Sequence, residues 1–254
     1  MNTSNPVLNP NAFSAERTHG IGESMTIQGA VNKTLILLAL LMIPAYWVWS
    51  MVSQPTMFEQ QVSIPPMVSM LMMVGFIGGF ILALITIFKR QWAGVTAPLY
   101  AVCQGLAMGG ISAFYEMRYQ GIVFQAVSLT VATLFCLLMA YKSGIVRATE
   151  KFKAGIFAAT GAVALIYFVN FIMGFFHHSI TIISANSNFG IIFSLIVVAI
   201  AALNLVLNFD VIEQGTAQGA PKHMEWYGAF GLMVTLIWLY LEILNLLSKL
   251  RSRN

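Results

Sequence analysis

The feature that most constrains the fold is a series of seven apolar segments, each long enough to cross a lipid bilayer. A spanning helix needs about 20 predominantly apolar residues, because the hydrocarbon core is about 30 Å thick and a helix rises about 1.5 Å per residue. The segments lack the alternation that is typical of strands. They cover residues 34–52, 66–88, 93–115, 122–141, 154–176, 188–209 and 226–247.

Composition agrees with lipid as the solvent for most of the chain. Hydrophobic residues make up 58% of the sequence and charged residues 9%, whereas soluble domains carry about 25% charged residues. The sequence therefore predicts an all-α membrane protein with one seven-helix transmembrane domain over residues 34–254. Residues 1–33 are polar, and we expect them to form a largely disordered cytoplasmic tail. The partner expected from composition is the lipid bilayer. The net charge of +4 does not indicate nucleic-acid binding, because the cations are spread over loops.

The distribution of Lys and Arg predicts the orientation, because cytoplasmic loops carry an excess of both. Nine of the 13 Lys and Arg residues lie in the tail and in the loops after the second, fourth and sixth spans. We therefore expect the amino terminus in the cytoplasm and the carboxyl terminus opposite. The basic ending "SKLRSRN" opposes this, and a last helix that re-enters the membrane is the alternative. The nine residues are Arg17, Lys33, Lys89, Arg90, Lys142, Arg147, Lys151, Lys153 and Lys222.

A polar stripe runs along the last span, at helical steps of three and four that place its members on one face. A glutamate facing lipid would cost about 2.5–3.5 kcal/mol or more if charged, so the stripe must face other helices or a water-filled cavity. Such a carboxyl group can sense pH or hold a cation in transit; alternatively, it only fixes helix register. The polar stripe consists of Gly228, Gly231, Thr235, Trp238, Glu242, Asn245 and Lys249.

The sixth span offers a matching face that contains Ser194, Ala201, Asn204 and Asn208. Two amides opposite a carboxyl group would supply hydrogen bonds that lipid cannot. Asp210 follows Asn208 by two residues and, on an ideal helix, points about 200° away from it.

Further charged residues are predicted near the cytoplasmic ends of the spans. The acidic residues there are Glu213 and Glu225, beside Asp210. Lys89 and Arg90 end the second span on the same side, so an ion-pair latch between the two groups is geometrically possible.

The sequence contains no HExxH, GxSxG or paired-carboxylate water site, so we expect no enzyme activity, no catalytic residues and no cofactor. Cys103 and Cys136 lie within spans without metal-ligand spacing, so no metal site is expected. A retinal protein would need a lysine in the middle of the membrane, and Lys249 lies at the end of the last helix.

Several stretches in this order resemble the transmembrane Bax inhibitor (Bax inhibitor motif) family, in its bacterial YccA-like branch. They are "SNPVLNPNAF", "MTIQGAVNKT", "APLYAVCQGLAMGGISAFYE", "YKSGIVRATEKFKAGI", "NLVLNFDVIEQG" and "GAPKHMEWYGAFGLMVTLIWLYLEILNLLSKLRSR". The resemblance covers nearly the whole chain and implies a multi-pass protein of the bacterial inner membrane.

The resemblance also implies six helices packed around a central seventh, and a pH-sensitive calcium leak controlled by an acidic pair. Glu242 in "LYLEILNL" takes the place of the family's aspartate, and Asn245 matches directly. Asp210 in "FDVIEQ" resembles the sixth-helix partner, and Lys89 or Arg90 the basic latch. Calcium is then the permeant ion. The alternative that the bacterial branch suggests is a regulator that transports nothing and modulates a membrane-bound protease, with "SNPVLNPNAFSAERTH" as the contact segment.

Overall fold

Seven α-helices account for nearly all of the chain that the computed structural model describes, which is residues 24–52, 65–175 and 188–253. All seven are long and apolar enough to cross a membrane, which makes the protein a multi-pass membrane protein. No strand occurs in the described ranges, so the predicted all-α class is confirmed. The helices are α1 (Ile27–Ser50), α2 (Pro66–Phe88), α3 (Ala93–Arg118), α4 (Ile122–Lys142), α5 (Glu150–Phe175), α6 (Asn188–Ala217) and α7 (Met224–Arg251).

The first helix begins earlier than the apolar pattern predicts. Thr26 caps α1 by accepting a hydrogen bond from the backbone N–H of Gly29 at 2.9 Å, which is the usual role of a threonine at this position. Residues 27–33, which were expected to belong to the polar tail, are therefore helical. The expectation of disorder for residues 1–23 lies outside the described residues.

Helix α6 continues eight residues past the predicted end at residue 209, to Ala217. The added turns are polar, and Ile212 is their buried apolar contact. Hydropathy marks only the part of a helix that lipid surrounds, so a polar extension of a spanning helix escapes it.

The helices group into two compact units. The first consists of the described residues of Met1–Phe114 with Asp210–Met233, and the second of Tyr115–Phe209 with Val234–Asn254. Helix α7 thus contributes its first ten residues to one unit and the remainder to the other. The single transmembrane domain over residues 34–254 stays a prediction.

Within the first unit, α3 packs closely against α1 through glycines. A Cβ atom added to Gly105 would meet the carbonyl oxygen of Leu41, and one added to Gly109 would lie 2.9 Å from the Cα atom of Ala45. These contacts are with backbone atoms, which cannot rotate away. The two glycines, four residues apart, therefore let the two backbones approach directly, as small residues do in membrane helices.

Helix α2 packs on α3 in the same way. A Cβ atom at Gly75 would lie 2.5 Å from the carbonyl oxygen of Cys103. A buried hydrogen bond of 2.7 Å between the hydroxyl groups of Thr86 and Thr96 adds a polar contact between these two helices.

Helix α7 contacts other helices in each of the two units. In the first unit, the ring of Phe230 packs edge-on against Tyr100 of α3 with centroids 5.0 Å apart, and Gly228 lies against Ile212 of α6. In the second unit, α7 bonds to Tyr167 of α5 and Ser194 of α6.

We expect Gly109→Ala to lower the free energy of unfolding by about 1–3 kcal/mol, because the added methyl group meets backbone atoms and forces α1 and α3 apart. Gly161→Ala in α5 is the matched control, since a Cβ atom there meets nothing within 4 Å. Both changes alter helix propensity equally. The difference between their free energies of unfolding, measured in mixed micelles, therefore gives the packing cost at Gly109. Equal stability of the two variants would contradict the close contact.

Candidate functional site

Glu242 lies in the interior of the second unit, with 6% of its surface exposed. The hydroxyl group of Tyr167 donates to its carboxylate and lies 2.9 and 3.0 Å from the two oxygens. The indole Nε1–H of Trp238, four residues earlier on the same face of α7, donates to Oε1 at 3.1 Å. The glutamate therefore faces protein and not lipid, as the polar stripe predicts.

A second charge of the polar stripe is buried near the end of α7. Lys249 has 4% of its surface exposed, and its Nζ atom donates to the hydroxyl oxygen of Ser194 at 2.8 Å. The backbone carbonyl of Gly190 accepts from the same atom at 3.4 Å. Lys249 follows Glu242 by seven residues, or about two helical turns, so one face of α7 holds buried charges of opposite sign.

The last two basic side chains are also bonded within the second unit. Arg251 donates to the backbone carbonyl of Gln120 at 2.5 Å, and Arg253 donates to the side-chain oxygen of Asn188. The charges that opposed the predicted orientation thus have structural partners at this end of the protein.

The two amides of the sixth span face different helices. Asn208 donates to the hydroxyl oxygen of Thr235 at 2.7 Å and so reaches the polar stripe. Asn204 instead donates to Thr160 of α5 at 2.8 Å and to its own helix at the carbonyl of Ile200. The expectation that both amides face the carboxyl stripe is wrong for Asn204, because its side-chain amide bonds to the hydroxyl group of Thr160 on the fifth helix.

The remaining predicted site residues are distributed over both units. Asn245 is half-buried, and its backbone carbonyl accepts from the hydroxyl of Ser248 at 2.8 Å. Asp210 belongs to the first unit, where its carboxylate accepts from the side-chain amide of Gln214 at 2.7 Å. Glu213 is exposed. A functional pair of Asp210 and Glu242 stays a prediction.

Glu225, the second residue of α7, is a completely buried carboxylate of the first unit. It forms ion pairs with Lys33 of α1 and with Lys222, whose Nζ atom lies 3.4 Å from Oε1. The sequence suggested an ion-pair latch between Lys89 or Arg90 and the acidic group of Asp210, Glu213 and Glu225. For Glu225 the structure gives other partners, Lys33 and Lys222. Lys89 is exposed, and the guanidinium group of Arg90 lies 5.2 Å from the ring centre of Tyr227.

Two residues of these clusters were missed from the sequence as contributors to a site: Tyr167 and Lys33. Tyr167 carried a usable signal, because a hydroxyl group inside an otherwise apolar span needs a partner. Lys33 was counted only as a flanking charge, and Lys249 was placed on the polar stripe without a partner. The partners of both depend on which helices pack beside them, and hydropathy does not report that.

We expect Tyr167→Phe to lower the free energy of unfolding by about 1–3 kcal/mol, since the buried carboxylate of Glu242 loses a donor. In a Glu242→Leu background the same change should cost much less, because no carboxylate remains to be satisfied. The exposed Tyr46→Phe is the control for loss of a hydroxyl group. An equal cost in both backgrounds would show that Tyr167 does not act through Glu242.

A family model described as Bax inhibitor 1 like matches residues 5–252, which is nearly the full length of the chain. No curated protein and no solved structure matches at a significant level. The match agrees with the seven apolar helices and with the motifs quoted above, from "SNPVLNPNAF" to the last helix. The chain therefore belongs to the Bax inhibitor 1 like family of integral membrane proteins.

Proposed function

We propose that the protein lets cations pass down their gradient, in the manner of a calcium leak, and that Glu242 controls their passage. The observation that carries the proposal is a carboxylate buried within a membrane-spanning helix and held by Tyr167 and Trp238. Ionisable groups inside spans are costly and most often serve ion or proton pathways.

The surroundings of Glu242 suit a group whose charge changes in use. Both of its donors are neutral, so they stabilise a carboxylate without neutralising it. A proton or a passing cation would remove the negative charge and leave Lys249 as the buried charge of the same face. Such a change of balance can favour one helix packing over another.

Asp210 is proposed to share this control, on the strength of the family resemblance of "FDVIEQ". Within the first unit its carboxylate is bonded to Gln214 one turn further along α6. Asn208, two residues earlier, fixes α6 in the second unit through Thr235. The proposal assigns Glu213, Lys89 and Arg90 no part in conduction.

Calcium flux into proteoliposomes tests the function, with a pH series for wild type, Glu242→Gln and Asp210→Asn. We expect Glu242→Gln to change the flux at least several-fold and to flatten its dependence on pH, because the amide can neither ionise nor release a proton. Glu150→Gln is the matched control, since Glu150 is exposed at the start of α5. Identical flux and an identical pH profile in wild type and Glu242→Gln would end the proposal.

In that event the alternative gains support, namely a regulator that conducts nothing and modulates a membrane-bound protease. Pull-down of partners with the full chain and with residues 2–24 deleted then becomes the decisive comparison. Neither function assigns the protein a catalytic step.

The proposed location is the bacterial inner membrane, with the amino terminus in the cytoplasm and the carboxyl terminus on the other side. Helix α7 is continuous over 28 residues, or about 42 Å, which exceeds the hydrocarbon thickness of about 30 Å. An unbroken helix of this length supports crossing and not re-entry.

Reporter fusions after Asn254 test the orientation. We expect alkaline phosphatase, which needs export to become active, to be active there, and a fluorescent protein that folds only in the cytoplasm to stay dark. Fusions to a chain truncated after residue 220 are the control and should give the reverse pattern. A fluorescent full-length fusion would place both termini in the cytoplasm.

A further inference from the structure

A short segment before and within α1 is fastened to the first turn of α7 by a cluster of bonds around Glu225. The backbone N–H and the hydroxyl group of Thr26 both donate to Oε1 of Glu225 at 2.9 Å. The ammonium group of Lys33, two turns along α1, binds the other oxygen. A carboxylate with no exposed surface thus takes most of its partners from a segment far away in sequence.

The backbone adds contacts that do not depend on charge. The N–H of Met25 donates to the carbonyl of Ala220 at 2.7 Å, and Ser24 and Pro221 form an isolated antiparallel bridge. Met25 is 3% exposed, and its terminal methyl group lies 3.6 Å from the position that a Cβ atom on Gly228 would occupy. Residues 24–33, named here the latch segment, therefore contact both the chain before α7 and its first turns.

Gly29 shows how closely the carboxylate fits. A Cβ atom on Gly29 would overlap with the carboxyl group of Glu225, so only glycine leaves room in α1 for that group. Lys33 also lies over the ring of Trp226, 5.5 Å from its centre, next to Glu225 in sequence. The latch segment therefore matches the carboxylate of Glu225 in shape, through Gly29, and in charge, through Lys33.

The contacts of Glu225 include one that would survive release of the latch segment. Lys222 precedes Glu225 by three residues and belongs to the same side of the contact, with a partly exposed side chain. If the latch segment moved away, Glu225 would become accessible to water and would keep Lys222 beside it. A buried charge left without any partner is strongly destabilising, so this second cation lowers the cost of an open state.

We propose that residues 24–33 form a releasable latch that holds the amino-terminal end of α7, with Glu225 as the residue that locks it. Helix α7 is one continuous helix and carries Glu242 further along. Release of the latch therefore frees the start of the helix on which the buried carboxylate lies, and we expect cation flux to rise. The latch itself stands on the contacts of the first unit; only its effect on flux rests on the proposed function.

Thiol accessibility measures the latch without reference to transport. Met25→Cys is introduced into a chain whose own cysteines are replaced, Cys103→Ala and Cys136→Ser, and is labelled in membranes with a maleimide. We expect slow labelling, and labelling about tenfold faster or more when Glu225→Gln or Lys33→Met is added, because a charge-assisted bond is lost. Glu150→Gln, which removes the ion pair of the exposed Glu150 with Lys153, is the control and should leave the rate unchanged.

A disulfide provides the opposite perturbation. Residues paired in an antiparallel bridge have Cα atoms about 4.5–5.5 Å apart, within the range that a disulfide spans, so Ser24→Cys with Pro221→Cys should cross-link on oxidation. The cross-link holds the latch closed. We expect calcium flux several-fold below that of the reduced protein, restored by a reductant, while the single Ser24→Cys variant does not respond.

The outcomes separate the latch from the proposed function. Faster labelling in Glu225→Gln, together with no calcium conduction by any variant, would support the latch and reject the proposed calcium-leak function. Labelling as slow in Glu225→Gln and Lys33→Met as in the parent would overturn the latch, even if flux is normal. If Glu225→Gln fails to fold, the labelling rate of Lys33→Met and the disulfide pair test the latch instead. Equal calcium flux in the oxidised and reduced forms of the disulfide pair would overturn the proposed effect of the latch on flux.

Discussion

The absence of water from the bilayer core is the constraint on which the rest of this structure depends. A carboxylate or ammonium group in that medium must be bonded inside the protein, because lipid offers it nothing. Glu242 meets this requirement with Tyr167 and Trp238. Lys249, near the end of α7, is buried in the protein and bonds to Ser194 and Gly190. Each of these bonds involves a residue of α7. The charged groups that are most costly to bury therefore also help to determine which helices pack against α7.

Different helices are held together by different contacts, some by close backbone packing and others by hydrogen bonds between polar side chains. Where α1, α2 and α3 meet, glycines bring the backbones together and few polar side chains are involved. Along α7, hydrogen bonds between side chains join the helix to α5 and α6. Dense backbone contact gives a stiff assembly, whereas hydrogen bonds between side chains can be exchanged for others. The polar contacts of α7 are therefore suited to a change of conformation, and the glycine contacts are not.

Hydropathy and helical periodicity each predicted only the part of the structure that they depend on physically. Hydropathy located all seven helices because lipid sets both the length and the polarity of a span. It missed the start of α1, where a threonine cap and a buried ion pair hold polar residues in a helix. It also missed the polar end of α6. Helical periodicity predicted that Glu242 points inward, since the direction of a side chain is a local property of its own helix.

The partners of that side chain were beyond such patterns. Tyr167 lies 75 residues before Glu242, and Lys33 lies 192 residues before Glu225, so their meeting depends on how whole helices pack. Asn204 illustrates the same limit, because its spacing placed it on a face of α6 but could not predict that Thr160 would be its acceptor. The family resemblance matched Glu242 and Asn245 to a motif of the last helix, yet it gave no indication of the cluster around Glu225.

The division of α7 between the two units has a consequence for biosynthesis. Tyr167, Ser194 and Lys33 all precede α7 in the chain, so they have no α7 to bond with until that helix has been translated. Both units include part of α7, so neither can reach its final packing before α7 has entered the membrane. During that interval the side chains that bond to α7 lack those partners, and we expect the incompletely packed chain to be most open to membrane quality control.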